Sequence, residues 1–310
     1  MTAPREVRVS APATVANLGP GFDVLGVALA GPGDVVIARA SSTAGVTIVR
    51  IDGDGGALPR EVAKNTAGIA AERTLALAGI DSGVELELTK GLPLGSGLGS
   101  SAASAAAAAY AVNCLFGSPL RKTDLIGPCL AAEAAVSGRH ADNVAAALLG
   151  GLVLVRRVDP LDVIRLPVPD GLTIAVVTPK HAVSTKEARA VLPKSISLDA
   201  HVRASADLAA FVGACHSGDW ALLARAINDE IVTPARAALI PGCLEVIRAA
   251  LDAGALGSAI SGSGPSIFAL SRSPRSAEAA AAAMTAAFAR AGLDASSIVS
   301  AADGPGVRRL

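Results

Sequence analysis

Aromatic side chains are nearly absent from this 310-residue chain, which has one Trp, one Tyr and five Phe. Bulky anchors cannot fill its core. With 51% of the residues hydrophobic, close packing of alanine, glycine and aliphatic side chains must do so. Net charge is missing too, since 27 Lys and Arg balance 27 Asp and Glu. That balance removes any global electrostatic case for nucleic acid or an acidic membrane. Cys114, Cys129, Cys215 and Cys243 are far apart, with no C-x-x-C and no paired histidine spacing. This argues against a disulfide framework, and the four read as buried free thiols of a reducing compartment. No stretch approaches about eighteen unbroken apolar residues, and the run from Ala102 to Val112 is too short and small-sided to span a bilayer. The first residues lack the basic start and apolar run of a secretory leader. The expectation is a soluble, cytoplasmic protein with no nucleic-acid or membrane partner.

Two familiar phosphate loops are also missing. A Walker A loop needs a lysine after its last glycine, but here Lys90 precedes the glycines and none follows. A dinucleotide fingerprint needs G-x-G-x-x-G, and its last position, counted from Gly95, is Ser100. What is present is Gly91-Leu92-Pro93-Leu94-Gly95-Ser96-Gly97-Leu98-Gly99-Ser100-Ser101, then Ala102-Ala103-Ser104 and more alanine. Before it, Val84, Leu86 and Leu88 alternate with polar residues, as in a half-buried strand. After it, Ser100 to Leu115 is alanine-rich and favours helix. In a strand–glycine loop–helix unit the free N–H groups and the helix dipole point at one spot, an anion site for which phosphate is the natural occupant. A tight turn with no ligand is the plainer alternative.

Elsewhere the chain alternates short elements with polar breaks. Val7 and Val9 begin a strand leading into a rigid loop from Ala11 to Asp23, in which Asn17 and Asp23 make either an Asx turn or a ligand contact. Strands are expected at 35–38 and 46–51, and a helix over 65–78 with Asn65 as N-cap and Gly79 as its stop. A helix over 122–135 carries Glu133. Next comes Ser137-Gly138-Arg139-His140-Ala141-Asp142-Asn143, either a solvated helix start or part of a site. A strand follows at 152–155. Asp159-Pro160, Pro167 and Pro169-Asp170-Gly171 punctuate the chain and suggest a domain boundary, giving units 1–168 and 169–310. Beyond it we expect a strand at 172–177, a polar segment from Ser184 to Arg189, helices at 202–217, 220–230 and 243–253, a strand at 258–260, the turn Ser261-Gly262-Ser263-Gly264-Pro265-Ser266, a strand at 267–270 and a final helix at 276–291.

Three segments together carry a resemblance. Pro-Ala-Thr-x-Ala-Asn-Leu-Gly-Pro-Gly-Phe-Asp, Pro-x-x-x-Gly-Leu-Gly-Ser-Ser-Ala-Ala and Ser-Gly-Ser-Gly-Pro-Ser are similar to the three motifs of the GHMP small-molecule kinases. Gly138 to Asn143, Thr185-Lys186-Glu187-Ala188-Arg189 and Pro234-Ala235-Arg236 before Leu239-Ile240-Pro241 resemble the homoserine kinase branch. The likeness runs from about Val7 to Val307. Val15 and Thr233 depart from the usual serine and glutamate, at positions given no chemistry.

The resemblance implies an α+β GHMP kinase fold, with an N-terminal domain like domain 2 of ribosomal protein S5 and a ferredoxin-like C-terminal domain. It implies ATP, Mg²⁺ and L-homoserine as ligands, O-phospho-L-homoserine as product, a place in threonine biosynthesis, and a homodimer. The triphosphate would lie on Pro93, Leu94, Gly95, Ser96, Gly97, Leu98, Gly99, Ser100, Ser101, Ala102 and Ala103, with Asn65 near the adenine and Gly262 behind the loop. Ser101 and Glu133 would hold Mg²⁺. Arg189 and Arg236 would bind the α-carboxylate and Asp23 the ammonium, with Asn17, His140, Asn143 and Thr185 orienting the rest. Asn143 would orient the δ-hydroxyl with Asp142 structural, so no carboxylate base is expected. A mevalonate-like or sugar substrate, and a catalytically silent nucleotide-binding protein, are the rival readings.

Overall fold

The computed structural model describes residues 6–136 and 138–310, so Ser137 and residues 1–5 lie outside the account below. The chain begins with a long hairpin, β1 (Glu6–Asn17) and β2 (Gly21–Ser41), followed by β3 (Gly45–Asp52), α1 (Thr66–Ala78), β4 (Gly83–Thr89), α2 (Ser100–Leu115), α3 (Ile126–Val136) and α4 (Asp142–Leu149). A second hairpin, β5 (Leu152–Val158) and β6 (Leu161–Leu166), leads to β7 (Thr173–Pro179) and α5 (Thr185–Ala190). Then come α6 (Leu198–Ser217), α7 (Trp220–Ala226), α8 (Val232–Arg236), α9 (Cys243–Asp252), β8 (Gly257–Ile260), β9 (Ile267–Ser271), α10 (Pro274–Arg290), β10 (Ala295–Ala301) and β11 (Arg308–Arg309).

Two sheets result. One runs β11-β1-β2-β4-β3, with β5 and β6 joined to the first half of β2; the other runs β10-β7-β9-β8. Only β3 and β4 pair in parallel within the first sheet. α2 packs across β1 and β2 as a helix buried nearly all round, with thirteen of its sixteen residues buried. Alanine permits this, because a side chain of one carbon lets helix and sheet approach closely on every face. All seven residues of β7 are buried. Ile174 and Val176 face the larger core beside Phe211 and Leu223 of α6 and α7, while Ala175 and Val177 face α9 and α10. The period-two alternation of a strand thus serves two cores at once.

Most expected elements are present, with five differences. The segment read as a loop from Ala11 continues β1 as far as Asn17, because the chain folds straight back as a hairpin and its backbone groups pair with β2. The punctuated stretch after Val158 contains β6, an edge strand with exposed, weakly alternating residues. The helix placed at 220–230 stops at Ala226. Asp229 then accepts the N–H groups of Ile231, Val232 and Thr233 at 3.1, 2.7 and 2.7 Å and starts α8. The helix expected from Lys122 begins at Ile126, and α6 begins at Leu198 because Ser197 caps it. All four cysteines are buried free thiols, and burial raises Cys129, Cys215 and Cys243 above the ordinary thiol range.

Candidate active site

The glycine loop joins β4 to α2 and takes its shape from three left-handed residues, Gly95, Gly97 and Gly99, at φ +63°, +76° and +65°. Gly97 has no room for a side chain: a Cβ there would sit 2.5 Å from the Ser261 carbonyl oxygen and 2.8 Å from that of Gly264. The second glycine turn is therefore pressed onto the first. Ser261 donates its hydroxyl to the Gly97 carbonyl at 2.7 Å, and Ser266 donates to the Ser96 carbonyl at 2.6 Å. In α2 the first helical bond runs from the Ala103 N–H to the Gly99 carbonyl, and no side chain caps the helix. The amides of Ser100, Ser101 and Ala102 therefore have no acceptor among the described residues, at the positive end of a sixteen-residue helix.

Facing this end is a cluster of side chains from distant segments. Asn17 and Asp23 flank the β1–β2 turn, both at positive φ. Arg189, on α5, grips Asp23 through two guanidinium nitrogens at 2.8 and 3.1 Å. The guanidinium carbons of Arg189 and Arg236 are 5.6 and 5.4 Å from the centre of the Phe22 ring. Arg236, on α8, donates to the carbonyls of Ala188 at 2.9 Å and Gly262 at 2.7 Å. Burial and the like charge of Arg189 lower the Arg236 pKa. Asn17 is committed locally: its Nδ2 donates to the Gly262 carbonyl at 3.0 Å and its Oδ1 accepts the Asp23 N–H at 3.2 Å. That carboxamide staples the hairpin turn to the second glycine turn, as a short polar side chain in a left-handed residue readily does.

His140, Asp142 and Asn143 sit at the start of α4. The His140 Nδ1 is 3.5 Å from the Asp142 carboxylate. Burial by itself lowers the His140 pKa, but the hydrogen bond and charge of Asp142, with Glu133, outweigh it and hold the group above its ordinary value. The Asp142 carboxylate also accepts the Asn143 N–H at 2.8 Å, and the Asn143 Oδ1 accepts the Thr14 hydroxyl at 2.7 Å. Neither the His140 Nε2 nor the Arg189 Nε has a hydrogen-bond partner among the described residues, although both are buried. Both lie against Gly138, within 3.7 Å of where a Cβ on it would stand. Two unpartnered ring and guanidinium nitrogens thus converge on one place.

One cavity of about 380 Å³ joins the two ends. Among the expected residues it brings together Asn17, Asp23, Asn65, Leu94, Gly95, Ser96, Gly97, Gly99, Ser100, Ser101, Glu133, His140, Asn143, Thr185, Arg189, Arg236 and Gly262. Pro93, Leu98, Ala102 and Ala103 do not line it, and Leu98, Ala102 and Ala103 are buried in the core. Asn65 caps α1 by accepting the Ala67 N–H at 3.0 Å and still reaches the cavity. Glu133 is a buried carboxylate, and with the Ser101 hydroxyl it offers oxygen ligands only. No cluster of three or more metal-binding side chains occurs among the described residues. Such a sparse oxygen set suits Mg²⁺, which keeps waters and takes its remaining ligands from phosphate.

The sequence reading missed Thr14, Phe22, Asp34 and Ser104 as parts of the site, and it noted Lys90 only for what it is not. Lys90 lies beneath the loop in a buried ion pair with Asp34, and burial pulls its pKa down against the attraction of that carboxylate. The available signal was Lys90 itself, the one charged residue between Glu87 and Arg121 in a glycine- and alanine-rich stretch. Among the described residues, no helix is long and apolar enough to cross a membrane.

Residues 62–151 match the model of the GHMP kinases N terminal domain, and residues 211–290 that of the GHMP kinases C terminal domain. A homoserine kinase of Chloroherpeton thalassium is 46% identical over 92% of this chain and 92% of its own length. One of Arabidopsis thaliana is 50% identical over 85% of this chain and 73% of its own. The crystal structure of homoserine kinase from Cytophaga hutchinsonii superimposes with a TM-score of 0.97 at 47% identity, covering 100% of this chain and 99% of that one. With that likeness end to end, the α+β architecture and the two glycine turns have one reading: the chain belongs to the homoserine kinase family of the GHMP kinases.

Proposed function

We propose that this chain transfers the γ-phosphoryl group of ATP to the hydroxyl of L-homoserine, giving O-phospho-L-homoserine. The observation that carries the proposal is the single cavity, with open helix-start amides at one end and paired cationic and anionic side chains at the other. The amides of Ser100 and Ser101 hold phosphate oxygens, and Asn65 lies toward the base. Ser101 and Glu133 would hold Mg²⁺, and the chemistry it would supply is neutralisation of phosphate charge. Homoserine is a zwitterion. Its carboxylate takes the place of Asp23 beside Arg189 and Arg236, and its ammonium takes Asp23, so binding exchanges an internal ion pair for two ligand pairs. The Arg189 Nε–H supplies a further donor, and the His140 Nε2 does so when the imidazole carries both protons. Thr14 fixes the Asn143 carboxamide, which orients the δ-hydroxyl. Asp142 is bonded to the Asn143 N–H and faces His140, which suits a structural carboxylate rather than a base. A loose transition state lets the hydroxyl proton leave late, to an oxygen of the phosphoryl group being transferred.

The same reading takes residues 1–168 as the nucleotide-binding unit and 169–310 as the second unit, with a homodimer in the cytoplasm. A coupled ADP-release assay with Mg²⁺ and ATP tests the function. Turnover is expected with L-homoserine and not with mevalonate or galactose. A preference for either of those would overturn the assignment.

A further inference from the structure

The chemistry above makes no use of a polar cluster under the glycine loop, two of whose members, Lys90 and Ser104, also line the cavity. The Lys90 and Asp34 side chains are 2% and 1% exposed. The Asp34 Oδ1 accepts the N–H groups of Gly91 at 3.0 Å and Leu92 at 3.2 Å, the first two residues of the loop. Its Oδ2 accepts the Ser104 hydroxyl at 2.7 Å and the Lys90 ammonium. Lys90 also donates to the Ser100 carbonyl at 3.0 Å and to the Ser104 Oγ at 2.7 Å. All three ammonium donors and both carboxylate oxygens are therefore used. The cluster ties β2, the entry to the loop and the first two turns of α2 into one frame. Its fit is tight, since a Cβ on Gly91 would lie 2.2 Å from the Gly33 carbonyl oxygen.

Stability does not account for such a pair. Desolvating two charges costs about as much as their attraction returns, and apolar replacements of similar volume are often as stable. A lysine near the start of α2 also opposes the helix dipole unless a carboxylate neutralises it. What an apolar pair cannot do is hold the Gly91 and Leu92 amides and the Ser100 carbonyl together. We propose that Asp34, Lys90 and Ser104 are positioning residues for the nucleotide: they set the affinity of the loop for ATP by locking its entry and exit in register, without touching the acceptor. The proposal rests on the reading that this loop holds the ATP phosphates.

The test compares Lys90→Met, Asp34→Asn, the double variant Asp34→Leu/Lys90→Met, and Ser104→Ala. For each, the Kd for ATP is measured by calorimetry, KM for homoserine by ADP release, and Tm by unfolding. The single charge variants should lose Tm and weaken ATP by about tenfold or more, as loop misplacement does, with homoserine KM within about twofold. In the double variant Tm should recover while the ATP loss stays. Ser104→Ala, the mildest change, should weaken ATP by about threefold. If the single variants do not fold, the double variant and Ser104→Ala decide. A folded double variant or Ser104→Ala with the parental Kd for ATP overturns the proposal, as does a homoserine KM that rises in step with it. A parental chain that binds no ATP fails earlier, and overturns the functional reading beneath the proposal as well.

Discussion

At the glycine-loop end of the cavity, the groups offered to a ligand are main-chain amides from one contiguous stretch; at the acceptor end they are side chains from the β1–β2 turn, the start of α4, α5 and α8. The first end is made by removing side chains, so that backbone and helix dipole do the binding. The second is made by placing charges and holding them with one another, as Asp23 holds Arg189 and the Gly262 carbonyl holds Arg236. A backbone site should tolerate little change of shape, whereas a side-chain site should tolerate loss of a member at a graded cost in specificity.

The metal-holding group between the two ends should give the largest effect. Glu133→Gln keeps the shape of a buried residue and removes its charge, so kcat should fall by several kcal/mol, on the order of a thousandfold, with little change in Tm. Near-parental turnover at saturating Mg²⁺ would end the metal assignment. Next is the backbone end itself. Gly97→Ala introduces a Cβ at φ +76° and 2.5 Å from the Ser261 carbonyl oxygen. It should cost about 3 kcal/mol of stability, lowering Tm by roughly 5–10 °C, and should raise KM for ATP. An unchanged Tm would mean that the two glycine turns are not in contact.

Arg189→Ala probes the acceptor end. Its side chain is 33% exposed, so the loss should sit at the low end for a charge pair, about 2 kcal/mol or roughly thirtyfold in KM for homoserine. Affinity for ATP should be kept; equal weakening of both ligands would make Arg189 structural. Asp142→Asn should lower kcat by less than about tenfold, where loss of a general base costs about a hundred to ten thousand times. A thousandfold fall with unchanged KM would make Asp142 the base.

The smallest effect is that of pH on His140. Its pKa is raised in the folded chain, so its contribution to stability is fully present below the unfolded value of 6.5 and is lost as pH rises through the folded value. The Tm advantage of the parental chain over His140→Gln should therefore be larger at about pH 6 than at about pH 8.5. The reverse trend would show that the imidazole is not held charged by Asp142.

What the chain determined by itself is what contiguous residues determine. The alternation of Val84, Leu86 and Leu88, three spaced glycines and an alanine run are enough for strand, left-handed loop and helix. The helix boundaries at Ser100 and Leu115 and the Asn65 cap follow from local chemistry and stand in the structure as read. Family likeness then supplied a set of side chains. It could not supply their partners, because a hydrogen bond between residues far apart in sequence has no local signal. Only the folded chain pairs Asp23 with Arg189, turns the Asn17 carboxamide onto Gly262, sets Thr14 against Asn143 and closes Asp34, Lys90 and Ser104 under the loop. Each of those depends on the two sheets and the long hairpin bringing separate segments within about 3 Å, the range in which a polar contact has any strength.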